Sequence, residues 1–140
     1  MKCSTDPTIP ETKAPTDGSK LKGAKLAGFT PTTKVDLLKC IDVKVGTGAA
    51  VQSSSTLTAN YTGAVAATGV IFESSLDSGQ PFSTSLNQLI PGWQTGLLGM
   101  KAGGTRRLLI PSASAYGAQP PPGIPANADL VFDISLISAQ

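Results

Sequence analysis

The sequence predicts an α+β fold, an antiparallel sheet of five or six strands with one short helix covering one face. Three observations carry this. From about Val35 onward, apolar and polar residues alternate with period two, the mark of half-buried strands. The alternating runs are separated by short turn signals, giving the order strand, turn, strand. Only residues 87–100 carry an apolar helical pattern, and one helix on an antiparallel sheet leaves the other face for solvent.

In "VDLLKCIDVKVGTG", Ile41, Val43 and Val45 point one way and Asp42 and Lys44 the other, until "GTG" ends the strand. "STLTANYTGAVA" places Leu57, Ala59 and Tyr61 on one face. Gly69 marks a turn before the short strand "VIFESS", and "DSGQ" turns the chain into the extended "PFSTSL". The segment "NQLIPGWQTGLLGM" predicts a helix over about 89–98, with Asn87 as N-cap, Pro91 in the first turn and Gly99 as the stop. After the turn "KAGG" come "TRRLLIP" and "ADLVFDISLISA". In the latter, Leu130, Phe132, Ile134 and Leu136 oppose Val131, Asp133, Ser135 and Ile137. Arg106 and Arg107 are read as surface residues.

Residues 1–34 mix Pro, Thr, Gly, Asp and Lys without periodicity and read as an extension, flexible or draped on a domain of residues 35–140. Seven lysines against four acids fall in residues 1–39, whereas the rest is near neutral, which argues against a nucleic-acid groove. The chain has no histidine, so a Ser-His-Asp system and His-ligated metals are excluded, and two cysteines are too few for a structural zinc site. No run of eighteen apolar residues is present to span a membrane as a helix. With no exposed apolar strand edge or coiled-coil seam evident, a monomer is expected.

"NYTG", "IFESS", "LIPGWQTGLLGM", "GGTRRLLIP", "AYGAQPPPGIP" and "LVFDISL" occur in the order and spacing of the FKBP-type peptidyl-prolyl cis-trans isomerases, which roughly residues 40–140 resemble. The resemblance implies a curved sheet wrapped around the helix, with a pocket between them and no cofactor or metal. Its site positions fall on Tyr61, Phe72, Glu73, Phe82, Leu89, Ile90, Trp93, Tyr116, Ile124 and Phe132. Trp93 would be the pocket floor, the Ile90 N–H and the Tyr116 hydroxyl would receive substrate carbonyls, and Glu73 would orient a tyrosine. Glu73 stands where the family usually has aspartate, and the added methylene is expected to move or weaken that hydrogen bond. The loop from Ala118 to Asn127 is shorter by a residue than in familiar members and proline-rich, with Pro121 near the place of a histidine that some relatives carry.

The chemistry implied is rotation about X-Pro bonds in other polypeptides. A dry aromatic pocket would favour the less polar, twisted imide over the planar amide, so no covalent step is needed. With no group of reference pKa near 7, activity is expected to be flat between about pH 6 and 9. Macrolide inhibitors such as rapamycin are expected ligands. The alternative is a proline-binding or chaperone module on the same fold with weak or no catalysis.

Cys3 and Cys40 leave three readings open: a disulfide, taken first, two free thiols, or a lipid anchor at Cys3. Too few residues precede Cys3 for a signal peptide, so the expectation is an exported bacterial protein, in the cell envelope or outside the cell, whose signal is not in this chain, with the cytoplasm as alternative.

Overall fold

The two longest alternating runs form the spine of the sheet. In a computed structural model that describes residues 3–140, the first two residues of the extension lying outside the described residues, the strands are β1 (Ser4–Thr5), β2 (Lys39–Lys44), β3 (Thr56–Val65), β4 (Ile71–Ser74), β5 (Phe82–Ser85), β6 (Thr105–Ile110) and β7 (Leu130–Ala139). Their order is β1-β2-β6-β7-β3-β4, with β5 pairing the first half of β3 beside β4 on its second half. Every pairing is antiparallel except β1 on β2. Register shifts at Thr58/Ala59, Gly63/Ala64 and Asp42/Lys44 interrupt the ladders, and such irregularities bend strands. The architecture is the expected α+β one, with a seventh strand supplied by the extension.

One helix, α1 (Pro91–Gly96), lies on the sheet. It begins later than the spacing predicts. Proline pushes the residue before it out of the helical region, and Ile90 accordingly sits at φ −59°, ψ 152° as N-cap. Asn87 belongs to a separate 3-10 turn, Leu86–Gln88, and caps nothing. The two helix glycines are explained by proximity. A Cβ on Gly92 would lie 2.5 Å from Ile110 Cγ2, and one on Gly96 2.8 Å from Leu108 Cδ2. The weak helix formers let α1 settle directly onto β6.

Between α1 and the sheet lies the main core, where Leu57, Leu97, Leu108, Ile110, Leu130 and Ile134 are fully buried around Trp93. The outer face is not left to solvent. Leu26 of the extension packs with Ala64, Ile71 and Val131 in a second cluster that Leu21 and Phe29 flank. Backbone bonds join Gly23 N–H to Ile71 O and Ile71 N–H to Ala24 O, both 2.8 Å, and Asp77 accepts from the N–H groups of Leu21 and Lys22.

Cys3 and Cys40 form a disulfide that ties the start of the extension to β2. This corrects the reading of Cys3 as a lipid anchor, and that of two free thiols, because the Cys3 sulfur is already bonded.

Arg106 and Arg107 are also corrected, since both are buried. Arg106 shares the inward parity of Leu108 and Ile110. Its Nε pairs with Asp42 at 2.8 Å, and its Nη1 donates to Gly96 O and Leu98 O, satisfying carbonyls at the C-terminus of α1. Arg107 points outward, pairs bidentately with Asp133 at 2.6 and 2.8 Å, donates to Ala27 O and Gly28 O, and lies over the Phe29 ring.

Candidate active site

Alternation on β3 and β7 turns Tyr61 and Phe132 toward the helix, and α1 lifts Trp93 between them. Phe82, opposite Ala59 at the start of β5, closes the ring. Trp93 meets Tyr61, Phe82 and Phe132 at centroid distances of 5.7, 5.5 and 5.3 Å, with interplanar angles of 76°, 67° and 81°. Tyr61 meets Phe82 at 5.2 Å and 85°. These are edge-to-face contacts, in which each ring's positive edge meets its neighbour's negative face. They hold the ring planes upright and open around a cavity. Gly63 makes the arrangement possible, because a Cβ there would come within 2.6 Å of both Phe132 and Phe72.

The cavity measures about 160 Å³ and is lined by Tyr61, Glu73, Phe82, Leu89, Ile90, Trp93, Tyr116 and Phe132. That is below the roughly 300 Å³ at which drug-sized sites begin and suits a single small ring. Two residues expected at the site lie outside this lining. Phe72 stands behind the wall, edge-to-face against Phe132 at 5.8 Å. Ile124 is half-buried against the main core. A larger cleft of about 320 Å³ lies on the opposite face, between Glu11, Thr12 and Lys13 of the extension and Asn60, Thr62 and Asp133. Most of the residues lining it are polar and it lacks the ring box, so size does not select the site here.

The polar groups of the cavity are few. The Tyr61 hydroxyl donates to Glu73 Oε1 at 2.6 Å, so the longer glutamate side chain makes a short hydrogen bond rather than a weakened one. Burial first, then this hydrogen bond and the carboxylate charge, push the Tyr61 pKa well above the ordinary phenol value. Burial, with Glu73 second, also raises that of Tyr116, which stands 37% exposed at the rim. Both phenols are therefore hydrogen-bond donors at neutral pH. The third donor is backbone. Among the described residues the Ile90 N–H has no acceptor, whereas the Ile90 carbonyl takes the N–H groups of Trp93 and Gln94 at 3.0 and 3.2 Å. Trp93 Nε1 is buried and without a partner among the described residues. No group of three or more potential metal ligands occurs among them.

Two contributors escape the sequence reading. Arg106 was detectable by its even-numbered parity with Leu108 and Ile110. Gln94, whose Nε2 donates to Leu89 O at 2.7 Å, leaves no trace in spacing or composition.

Residues 48–137 match the family model of the FKBP-type peptidyl-prolyl cis-trans isomerases. FK506-binding protein 4 of Chaetomium thermophilum is 44% identical over 101 residues, which are 71% of this chain and 20% of that protein. FkpA of Escherichia coli K12 is 42% identical over 98 residues, or 70% of this chain and 36% of that one. The crystal structure of E. coli FkpA superposes with a TM-score of 0.70 at 38% identity, covering 81% of this chain and 52% of FkpA. A peptidyl-prolyl cis-trans isomerase of Pseudomonas syringae pv. tomato gives 0.67 at 32% identity, covering 78% and 80%. The chain thus spans between a fifth and two fifths of the length of the curated relatives it matches. By this match, and by a sheet, a helix and a ring-walled cavity in the arrangement it implies, the chain belongs to the FKBP-type peptidyl-prolyl cis-trans isomerase family.

Proposed function

We propose that this chain accelerates cis-trans exchange of X-Pro bonds in polypeptides. The observation that carries the reading is the cavity of four rings, sized for one small ring and furnished with hydrogen-bond donors but no histidine or cysteine base or nucleophile.

The barrier to be lowered is about 18–20 kcal/mol, set by amide resonance. Acceleration from tens of seconds to near a millisecond asks for roughly 5–6 kcal/mol of preference for the twisted state. Twisting shrinks the carbonyl dipole, so an apolar wall penalises the planar ground state more than the transition state. In this account Trp93, Phe82, Tyr61 and Phe132 hold the pyrrolidine ring. The Ile90 N–H and the Tyr116 hydroxyl hold carbonyls on either side and resist co-rotation of the flanking chain. Glu73 keeps the Tyr61 ring in place through its 2.6 Å bond. Phe72 backs the wall through its contact with Phe132.

The test is NMR exchange on an X-Pro peptide with and without the protein. Acceleration at micromolar protein is expected, and binding without acceleration would leave only a proline-binding module. Relatives named for FK506 support a macrolide as a second occupant of the same cavity. The disulfide supports residence in an oxidising compartment, such as the bacterial envelope or the medium outside the cell.

A further inference from the structure

The backbone donor of the cavity belongs to a peptide group that neither of its neighbouring helical turns contains. Leu89 (φ −97°, ψ 168°) and Ile90 (φ −59°, ψ 152°) are extended, between the 3-10 turn that ends at Gln88 and the helix that starts at Pro91. We propose that Gln94 is a positioning residue that locks the Leu89–Ile90 peptide plane and so aims the Ile90 N–H at a substrate carbonyl. The inference rests on the reading that this N–H receives such a carbonyl.

The Leu89 carbonyl and the Ile90 N–H are two ends of one planar unit. No cis peptide bond occurs among the described residues, so the two groups point in opposite directions and holding one orients the other. Gln94 Nε2 donates to Leu89 O at 2.7 Å and reaches Asn87 O at 3.5 Å. Both acceptors are carbonyls, so only the NH₂ end of the amide fits there. No backbone N–H among the described residues reaches Leu89 O. Without the Gln94 side chain, this peptide could turn about the torsions on either side of it.

The rest of the segment makes the clamp matter. The Gln94 backbone N–H holds the next carbonyl, that of Ile90, so one residue fixes two successive peptide groups. Pro91 has no N–H, which leaves Ile90 as the last backbone donor before the helix. A carbonyl that accepts a hydrogen bond also polarises its amide, making the attached N–H a better donor. Gln94 does not line the cavity, so it acts through the peptide and not on the substrate.

Gln94→Met keeps the length of the side chain and removes the donor, and Gln94→Glu replaces the donor by a carboxylate facing Leu89 O. Exchange NMR on an X-Pro peptide gives KM and kcat, and ¹⁵N spectra follow the Ile90 amide during peptide titration. Both variants are expected to raise KM roughly fivefold to tenfold with kcat within about twofold, because the carbonyl contact is shared by planar and twisted substrate. The peptide-induced downfield shift of the Ile90 amide should shrink in parallel. A residue that merely supported the fold would lower Tm and leave KM and that shift alone. Active wild type with unchanged KM and Ile90 shift in both variants overturns the inference. Wild type that shifts Ile90 on binding peptide without accelerating exchange sinks the catalytic reading alone, and the loss or persistence of that shift in the variants still decides the role of Gln94. Wild type that does neither overturns both.

Discussion

On the helix face of β7, Phe132 and Ile134 meet rings and aliphatic side chains; on the outer face of the same strand, Asp133 meets Arg107 beneath the N-terminal extension. The neighbouring strands divide in the same way. Tyr61 turns in and Thr62 out, and Leu108 turns in and Arg107 out. Period-two alternation thus gives one set of strands two different surfaces. Around the cavity the inner one is mostly apolar with a few polar groups, which suits a site that works by excluding water. The outer one buries a charge pair that is tolerable only because the extension supplies further acceptors from Ala27 and Gly28. Changes on the inner face should therefore alter activity, and changes on the outer face should alter stability while sparing the chemistry.

The largest effect is expected at Trp93, whose ring meets those of Tyr61, Phe82 and Phe132. Trp93→Ala removes a side chain that is 4% exposed, and such a deletion destabilises by about 3–5 kcal/mol. It also removes the cavity floor. A bound proline ring would lose apolar contact of roughly 2–3 kcal/mol, or about a hundredfold in kcat/KM. Exchange NMR at a temperature where the variant is still folded separates the two effects, and a variant of wild-type activity would break the assignment of the inner face.

Asp133→Ala is the matching change on the outer face. It strands a buried guanidinium and should lower stability by about 3–5 kcal/mol in denaturant titration. The activity of the molecules that remain folded should stay within about threefold of wild type. Replacing Arg107 and Asp133 together by Met and Leu should recover most of the lost stability, because it removes the unpaired charge. A large activity loss in that stable double variant would show that the two faces are coupled.

How much of this was legible in the sequence follows from the same alternation. Tyr61 and Phe132 could be read because a strand shows its faces at every second residue. The outer face could not be read in the same way. Its cover comes from main-chain carbonyls of Ala27 and Gly28 and from backbone bonds at Gly23 and Ala24, and main-chain groups leave no compositional trace. A charged pair followed by apolar residues looks solvated until a remote segment is laid across it, so Arg107 was misread. Arg106 differs from that reading for a related reason, since two of its acceptors are main-chain carbonyls at the end of α1, and the third, Asp42, lies on a strand remote in sequence. The late helix start is legible in the sequence, because Pro91 excludes Ile90 from the helical region.

A smaller effect is expected from cutting the strap itself. The disulfide closes a loop with a sequence separation of 37 residues, and loop-closure entropy puts its contribution at roughly 3–4 kcal/mol at most. The extension is also held at Leu26, Gly23 and Arg107, so the reduced chain keeps native contacts and the measured loss should be nearer 2 kcal/mol. Denaturant titration of Cys3→Ser against wild type measures it. Activity should be unchanged, since the bridge lies at β1 and β2 and touches no cavity residue.

The smallest effect is expected from pH. With no histidine in the chain, no side chain with a reference pKa near 7 stands in the cavity. The two pocket phenols are displaced further from neutrality, because burial and the Glu73 charge raise both. A raised folded-state pKa means that the unfolded chain releases its phenol protons first, at about pH 10. The stability from these two groups is accordingly intact below pH 10 and falls as pH climbs toward their folded values. Between about pH 6 and 9 both hydroxyls keep their protons, and kcat/KM should stay level within about twofold in exchange NMR. An inflection near pH 7 would require a proton-transfer group that this cavity lacks, and would return the mechanism from solvent exclusion to acid–base chemistry.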